Sequence, residues 1–466
     1  MNSLYLSQPF VACFENNLDA YIPELWAQEG LMILEENMVM ANLVHRDFEN
    51  DVAKFGDVVN TRKPGEFKIR RKTDGTTLSQ QDATATNVAV PLDQWFYSSF
   101  VIRDGEGSKS FQELTDIYLR PAMLTIARGI DRALLGRVHA YLGDPDDRVG
   151  KLNGLSYSTA KDCVLEAREK LNIGKAPMDG RRLVMAPTAE TAMLKTDIFL
   201  KANERGDGGS ALESATLGRI LGFDTYICQN VNCPLSGSHT DSDPVTEPYA
   251  AGTTGELATV LAPTVGEYVV IVGNDQPTWA TASDAAKIEL NEALKYATLD
   301  DAVATRWVKC VNEATNRASG YSKDMTFTVG VAGKHLQVGQ LLSFGATPAA
   351  RHTYTIIEAE VVDTTHTKVY LDRPLTAAVA SGADAFPGPY GSMNLAFHRD
   401  ALALVTRPLA LPDTRAGVMA GHAAYNGITM RVLAQYDINA GGLIVNCDIL
   451  AGVAALNSSL LVPLLG

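Results

Sequence analysis

Cysteine is scarce and scattered in this chain of 466 residues, which has six cysteines and no CxxC pair. Small secreted scaffolds need an array of cysteines, and structural zinc modules need closely spaced pairs of them. Both classes are therefore excluded, and we expect reduced, mostly buried thiols. The six residues are Cys13, Cys163, Cys228, Cys233, Cys310 and Cys447.

Positive charge is also in short supply. Forty lysines and arginines face 54 aspartates and glutamates, which gives a net charge of -14. A surface that binds nucleic acid needs clustered lysine and arginine to neutralise phosphates. The balance excludes a chain whose whole surface binds DNA or RNA. It suits the wall of a container and an ordinary cytosolic enzyme equally well.

Long apolar runs are missing as well. Residues 443–465 come nearest to a membrane span, but Asn446, Asp448, Asn457 and Pro463 interrupt them. We therefore predict a buried strand and its continuation there, and no membrane association. The first residues lack the basic region, apolar run and cleavage site of a signal peptide, so we expect synthesis in the cytoplasm.

Catalytic and metal-binding motifs are absent from the sequence. It contains no GxSxG nucleophile elbow and no HExxH zinc helix, and its eight histidines are dispersed. Gly330, Gly333 and Lys334 have the wrong spacing for a phosphate loop, and His352 and His366 have no cysteine near them. We predict no catalytic, cofactor-binding or metal-binding residue and no enzymatic activity.

An amphipathic helix is predicted near the amino terminus, over residues 23–44. Pro23 stands at the first helical position, where its missing N–H is tolerated. Leu25, Met32 and Val39 recur at intervals of seven residues and so lie on one face. We expect this face to pack either on the chain's own body or on a neighbouring subunit.

A long two-stranded excursion is predicted over residues 57–103, with a polar, turn-rich tip at residues 73–86. Its base is basic although the protein is acidic, and only Glu66 opposes the cations. Two interpretations stay open: a solvated strand face, or a docking edge for an acidic patch on another copy. The cations are Arg62, Lys63, Lys68, Arg70, Arg71 and Lys72.

A long helix should follow, capped by Ser110 with Glu113 three residues later. Pro121 is expected to kink it or divide it in two. If the helix continues to Tyr141, it spans about 48 Å at 1.5 Å per residue.

The remaining chain alternates between α+β and all-β patterns, and its length predicts about three compact units. A helix over residues 159–171, a strand over 182–186 and a helix opened by Pro187 indicate an α+β domain. Short strands and turns then indicate an inserted all-β domain over residues 232–390. A hairpin over residues 430–445 closes the chain.

In this order of parts the sequence resembles the major capsid proteins of tailed bacteriophages, especially the branch typified by the coat protein of a short-tailed Salmonella phage. The similarity covers nearly the whole chain as an architecture, although its motifs are diffuse. The segments that carry it are residues 55–71 (FGDVVNTRKPGEFKIRR), 88–104 (VAVPLDQWFYSSFVIRD), 119–135 (LRPAMLTIARGIDRALL) and 427–445 (GITMRVLAQYDINAGGLIV).

The resemblance implies an α+β tailed-phage capsid fold, shared with encapsulins and herpesvirus capsid floors, with peripheral and axial domains. The expected units are residues 1–50 (amino-terminal arm), 51–104 (extended β loop), 105–150 (spine helix of the peripheral domain), 151–231 (axial α+β domain, first part), 232–390 (inserted β-rich domain), 391–427 (axial domain, second part) and 428–466 (closing β hairpin and C-terminal segment).

The resemblance also implies function and partners. Pentamers and hexamers of the chain would form an icosahedral shell around double-stranded DNA, with scaffolding and portal proteins as partners. The shell would assemble in the bacterial cytoplasm and become part of the virion.

In that family an insertion-domain loop can bridge adjacent capsomers. Our candidate for this loop is residues 240–256, with Asp241, Asp243 and Glu247. The run over residues 266–280 (GEYVVIVGNDQPTWA) has no counterpart that we can place.

Two other functions remain open at the level of the sequence. An encapsulin-like compartment shell would have the same fold and an enzyme cargo. A cytosolic α+β enzyme with a β accessory domain would need a pocket that gathers several histidines and carboxylates.

Overall fold

A computed structural model of the chain describes residues 23–46, 57–63, 69, 71–72, 74, 86–105, 111–138, 148–152, 160–196, 217–231, 240–245, 247–254, 256–259, 261–284, 287–313, 315–321, 324–347, 351–389, 391–412, 418–439 and 441–466. Its helices are α1 (Pro23–Asn37), α2 (Met40–Leu43), α3 (Phe111–Leu114), a π-helical turn (Thr115–Leu119), α4 (Arg120–Val138), α5 (Ala160–Ile173) and α6 (Pro187–Leu194). Short 3-10 turns lie at Arg399–Ala401 and Ser458–Leu460.

The described strands outnumber the helices and form four larger sheets and a hairpin. In chain order they are β1 (Val58–Lys63), β2 (Thr86–Pro91), β3 (Gln94–Arg103), β4 (Val149–Gly150), β5 (Arg181–Met185), β6 (Arg219–Ile220), β7 (Phe223–Ile227), β8 (Thr240–Pro244), β9 (Glu256–Ala258), β10 (Tyr268–Ile271), β11 (Thr278–Asp284), β12 (Lys287–Leu290), β13 (Val303–Trp307), β14 (Cys310–Asn312), β15 (Met325–Thr328), β16 (Leu341–Phe344), β17 (His352–Val361), β18 (His366–Leu371), β19 (Asp384–Pro387), β20 (Met393–His398), β21 (Leu402–Arg407), β22 (Met419–Tyr425), β23 (Ile428–Asp437), β24 (Gly442–Ala455) and β25 (Leu461–Leu465). The protein belongs to the α+β class, as predicted.

The spine helix consists of α3, the π-helical turn and α4 in direct succession and is about 40 Å long. The π turn comes just before Pro121, where the missing N–H would disturb a regular α-helix. Ile117 lies within the π turn and is 47% exposed. The predicted cap Ser110 and the predicted end at Tyr141 lie outside the described residues.

The main sheet has the order β21-β24-β23-β22, and β3 pairs with β24. One face of this sheet packs on α1 and α4 in the largest hydrophobic core among the described residues. The predicted closing hairpin is confirmed as β23 and β24. Strand β3, which the sequence assigns to the extended loop, pairs with β24 along ten residues instead. Ile102 of β3 is therefore part of the main core, and Phe96 and Phe100 pack against it.

The base of the two-stranded excursion is confirmed, because β1 and β2 pair antiparallel from Val58 opposite Pro91 to Lys63 opposite Thr86. This base does not project freely. Val90 and Leu92 are fully buried against the outer face of the main sheet, with Val59 packed beside them. Of the predicted tip over residues 73–86, the structure describes only Asp74 and Thr86.

A second sheet, ordered β4-β25-β20-β5-β7-β6, packs on α5 and α6. The predicted helix over residues 159–171, the strand over 182–186 and the helix opened by Pro187 appear as α5, β5 and α6. The apolar carboxy-terminal stretch ends as β25, which pairs with β20 and β4. Among the described residues, no helix combines the length and the hydropathy needed to span a bilayer.

Every described regular element from β8 to β19 is a strand. These strands form a six-stranded sheet, β8-β13-β10-β11-β12-β9, and a closed barrel, β14-β15-β18-β17-β16-β19. The unplaced run over residues 266–280 contributes β10 and part of β11, two inner strands of the six-stranded sheet. The barrel lies close to the spine helix at Gly136, where an added Cβ would meet the Asp372 Cβ at 3.0 Å.

Candidate subunit interface

Helix α1 lies on the chain's own main sheet, but not through the face that the sequence suggests. Trp26, Leu31 and Leu34 are buried, whereas Leu25 and Met32 are 40% and 60% exposed. Leu25 and Met32, which recur at seven-residue spacing, lie at the exposed edge of the helix and not on its buried face. The buried face is the one that contacts the main sheet, and the sequence of the helix does not show where that contact lies. Val39 lies beyond the end of α1, because the helix stops at Asn37.

Close contact between α1 and β22 depends on Gly421. A Cβ at this position would lie 2.7 Å from the backbone nitrogen of Glu24. Only glycine lets the backbone of α1 approach the strand so closely. This contact sets the position of the exposed edge of α1 beside β22.

A groove of about 530 Å³ runs between α1 and the end of β22. Its floor is apolar and its rim carries two carboxylates, with no cation among the lining residues. Tyr425, at one wall, is 63% exposed. The Glu35 Oε1 accepts a hydrogen bond of 2.6 Å from the Asn426 Nδ2. The lining residues are Gln28, Leu31, Met32, Glu35, Glu36, Ala423, Ala424 and Tyr425.

The groove residues were not among the predicted contact residues. One signal in the sequence points to them, because α1 carries four glutamates and no lysine or arginine. The charge pattern of α1 does not indicate that β22 forms the other wall of the groove. That wall depends on packing between two segments almost 400 residues apart in the chain.

The structure describes only some of the predicted basic residues. The backbone of Arg62 and Lys63 lies in β1, and their side chains are outside the described part of the structure. Lys68 and Arg70 are outside it entirely. Arg71 and Lys72 are exposed, and the neighbouring Ile69 is fully exposed. The docking role of these cations remains a prediction.

The loop conformation predicted for residues 240–256 is wrong in its first part, whereas the bridging role of these residues remains a prediction. Residues 240–244 form β8, which pairs with β13, with Asp241 opposite Arg306 and Asp243 opposite Ala304. A polar, charged sequence resembles a loop, but β8 is an edge strand, where charged residues are tolerated because one side meets solvent. Asp243 is half-buried, Glu247 is exposed, and the Asp241 side chain is outside the described residues.

The described cysteines are free thiols, as predicted. Cys228, Cys310 and Cys447 are buried and Cys163 is half-buried. Burial raises the pKa of Cys228, Cys310 and Cys447 to about 12, which keeps these thiols protonated. Cys13 and Cys233 lie outside the described residues.

The two histidines considered for a metal site do not converge. His352 begins β17, whereas the residue after His366 pairs with Val361 at the other end of that strand. His366 contacts Asp363 at 2.6 Å and Glu313 at 2.5 Å, and the Asp363 carboxylate raises its pKa. Within the described ranges, no group of three or more His, Cys, Asp or Glu side chains could hold a metal ion.

Comparison with known proteins gives structural similarities only. No family model and no curated protein matches the chain in sequence. A chain from a solved structure of Mycobacterium phage Che8 is 12% identical, with 92% of this chain and 90% of that chain covered and a TM-score of 0.43. For the capsid structure of cyanophage P-SCSP1u, the identity is 11%, the coverages are 92% and 91% and the TM-score is 0.40. TM-scores below 0.5 assign neither a fold nor a function to this chain.

Proposed function

We propose that this chain is the major capsid protein of a tailed bacteriophage, which assembles into an icosahedral shell around double-stranded DNA. The observation that carries the proposal is the order of the parts. An amino-terminal helix, a β excursion, a long spine helix, an α+β sheet, an all-β region and a closing hairpin follow one another along the chain. This is the order in which the sequence resembles that family.

The shell would form because copies of the chain bury each other's exposed surfaces. One such contact would bring the basic segment around Ile69, Arg71 and Lys72 to the α1 groove of a neighbouring copy. The segment offers a fully exposed apolar side chain and cations, and the groove offers an apolar floor and the carboxylates of Glu35 and Glu36. Opposite charges set the register of such a contact, while apolar burial stabilises it.

The remaining parts of the proposal follow the family. Many modest contacts per subunit add up in a closed shell, so that each can be weak. Pentamers and hexamers would form with the help of scaffolding and portal proteins in the bacterial cytoplasm. With a net charge of -14, the wall would enclose DNA without sequence-specific binding. Asp241, Asp243 and Glu247 at the edge of the six-stranded sheet would contact neighbouring capsomers.

Particles from a phage-producing culture test the function directly. We expect virions in which this chain is the most abundant protein and double-stranded DNA is protected from nuclease. Negative-stain microscopy should show closed shells of uniform diameter. Closed particles with an enzyme cargo and no protected DNA would identify a compartment shell instead. Monomers or small oligomers, under conditions where the culture yields virions, would contradict the proposal.

Charge reversal tests the proposed contact. We expect Arg70→Glu with Arg71→Glu to raise the concentration needed for assembly about 10-fold or more, because the new glutamates would then face the carboxylates of Glu35 and Glu36. The monomer should stay folded by circular dichroism. Adding Glu35→Lys and Glu36→Lys should restore assembly, since the charges are then exchanged between the two partners.

The matched control for this experiment is Lys195→Glu with Lys334→Glu, which makes the same change in net charge at two exposed lysines elsewhere. It should assemble normally. Normal shells from the Arg70 and Arg71 variant would identify the basic segment as a solvated strand face and end the docking proposal.

A further inference from the structure

The spine helix contains a fully buried carboxylate, Asp131, at the point where the amino-terminal segment crosses it. Three consecutive backbone N–H groups donate to this carboxylate. The donor-to-acceptor distances are 3.2 Å from Val39, 3.0 Å from Met40 and 3.4 Å from Ala41. The side chain of Asn230 donates at 3.4 Å. Asp131 thus joins the amino-terminal segment to the spine helix, across some 90 residues of sequence.

No cation offsets the charge of Asp131 within the described structure. Arg132, the next residue of the helix, points away and donates to the Ile357 carbonyl at 3.3 Å, and Arg128 is exposed. The titratable group that faces Asp131 is the Cys228 thiol, with its sulfur 3.9 Å from Oδ2. When Asp131 is ionised, the site therefore holds a buried charge stabilised only by neutral donors, which is an expensive arrangement.

Residues 43–45, at the carboxy-terminal end of the amino-terminal segment, are held by contacts that do not involve Asp131. The Arg182 guanidinium donates to the Leu43 carbonyl. The backbone of His45 bridges β21 through bonds to Leu402 and Leu404 of 3.1 Å and 3.0 Å. Its imidazole lies 3.5 Å from the Asp400 carboxylate. Because these contacts persist at both charge states of Asp131, any proton dependence should be confined to residues 38–41.

The cost of burying the Asp131 charge determines whether protonation favours or opposes the docking of residues 39–41. Burial raises the pKa of Asp131 from 3.8 to about 6, and the hydrogen bonds from Val39, Asn230, Ala41 and Met40 oppose that rise only in part. If residues 39–41 moved away, water would reach the carboxyl and its pKa would return towards 3.8. The docked state has the higher pKa, so it binds the proton more tightly. Protonation consequently favours docking, and ionisation favours release.

The chemistry of the neighbours is compatible with both protonation states. When the carboxyl is ionised, it accepts from the three N–H groups and from the Asn230 amide. When it is protonated, an Asn230 side chain rotated by 180° would present its oxygen as an acceptor for the new O–H. The site can therefore remain hydrogen-bonded as it titrates.

We propose that Asp131 and the backbone of residues 39–41 form a proton-linked latch, which holds the amino-terminal segment on the spine helix and loosens when the carboxyl ionises. The latch sets how firmly residues 38–41 are attached to the spine helix at a given pH. It does not depend on the function proposed above, because it acts within one copy of the chain.

Hydrogen exchange of the unassembled full chain tests the latch. The measured quantity is the protection factor of peptides covering residues 38–44, corrected for the intrinsic pH dependence of exchange. We expect the opening constant to rise about 10-fold between pH 5 and pH 8 and to level off above pH 7. A flat profile in the unmodified protein would overturn the proposal, whatever the variants do.

Two variants and two controls separate the latch from a purely structural role. Asp131→Asn should make the profile flat, because the group that titrates is gone. Asn230→Ala should move the midpoint to higher pH, since one bond to the carboxylate is lost, and it serves if Asp131→Asn does not fold. His45→Gln and Glu36→Gln should keep the original profile. An unchanged profile in Asp131→Asn, or a midpoint that stays or falls in Asn230→Ala, would exclude the latch.

Discussion

Glu292→Ala should lower the free energy of unfolding by about 3–5 kcal/mol, because it leaves a buried guanidinium without its counter-ion. The Arg148 side chain is fully buried and forms an ion pair with Glu292, which is itself 7% exposed. The Arg148 Nε also donates to the Gln276 Oε1 at 2.9 Å. Urea unfolding of the full chain measures the change, with Lys287→Ala as a control that should leave the unfolding curve unchanged, because Lys287 and its partner Glu256 are exposed.

The paired variant Arg148→Met with Glu292→Leu distinguishes a buried charge from lost packing. Removal of both charges leaves no uncompensated ion, so we expect it to recover most of the lost stability. If the pair is as unstable as Glu292→Ala alone, the effect arises from packing and the electrostatic explanation is wrong. The site matters for architecture because the Gln276 Nε2 donates to the Gly150 carbonyl at 2.8 Å, which ties the six-stranded sheet to β4.

Trp307→Ala should also cost about 3–5 kcal/mol, because it empties a large volume in a cluster that joins three parts of the fold. Trp307 is 2% exposed in β13 and packs with Leu341 of the barrel and Leu465 of the second sheet. The loss should appear in urea unfolding and as faster proteolysis within residues 240–387.

Tyr97→Ala is the control for this second prediction. Tyr97 is 68% exposed in β3, so its removal should cost less than about 1 kcal/mol. If Trp307→Ala is no more destabilising than Tyr97→Ala, the apolar junction does not hold the β strands of residues 240–387 to the body.

Local patterns predicted the elements whose structure depends on neighbouring residues. The apolar period of residues 159–171, the helix-opening Pro187 and the strand alternation of residues 430–445 correspond to α5, α6 and the β23–β24 hairpin. These succeeded because helix caps, turns and side-chain periodicity act within a few residues. The subdivision into domains and the shell itself remain proposals that the resemblance supports.

Predictions about surfaces were less successful, for a physical reason. Leu25 and Met32 are exposed because the partner strands of α1, far away in sequence, cover another face of the helix. Residues 240–244 form a strand because they pair with β13, some 60 residues later. The same polar residues can form a loop or an edge strand, and only pairing with β13 decides between them. The groove beside α1 needs Tyr425, which no pattern within α1 could indicate.

The sequence by itself determined the α+β class, the positions of the main helices and the free state of the described thiols, since composition and short-range periodicity specify these properties. Only the tertiary structure decided which face of α1 is buried and which strand β3 joins. It alone placed Asp131 against the backbone of residues 39–41. The reason is that burial and pairing are set by long-range contacts, and the free energy of a charge depends on the groups that surround it after folding.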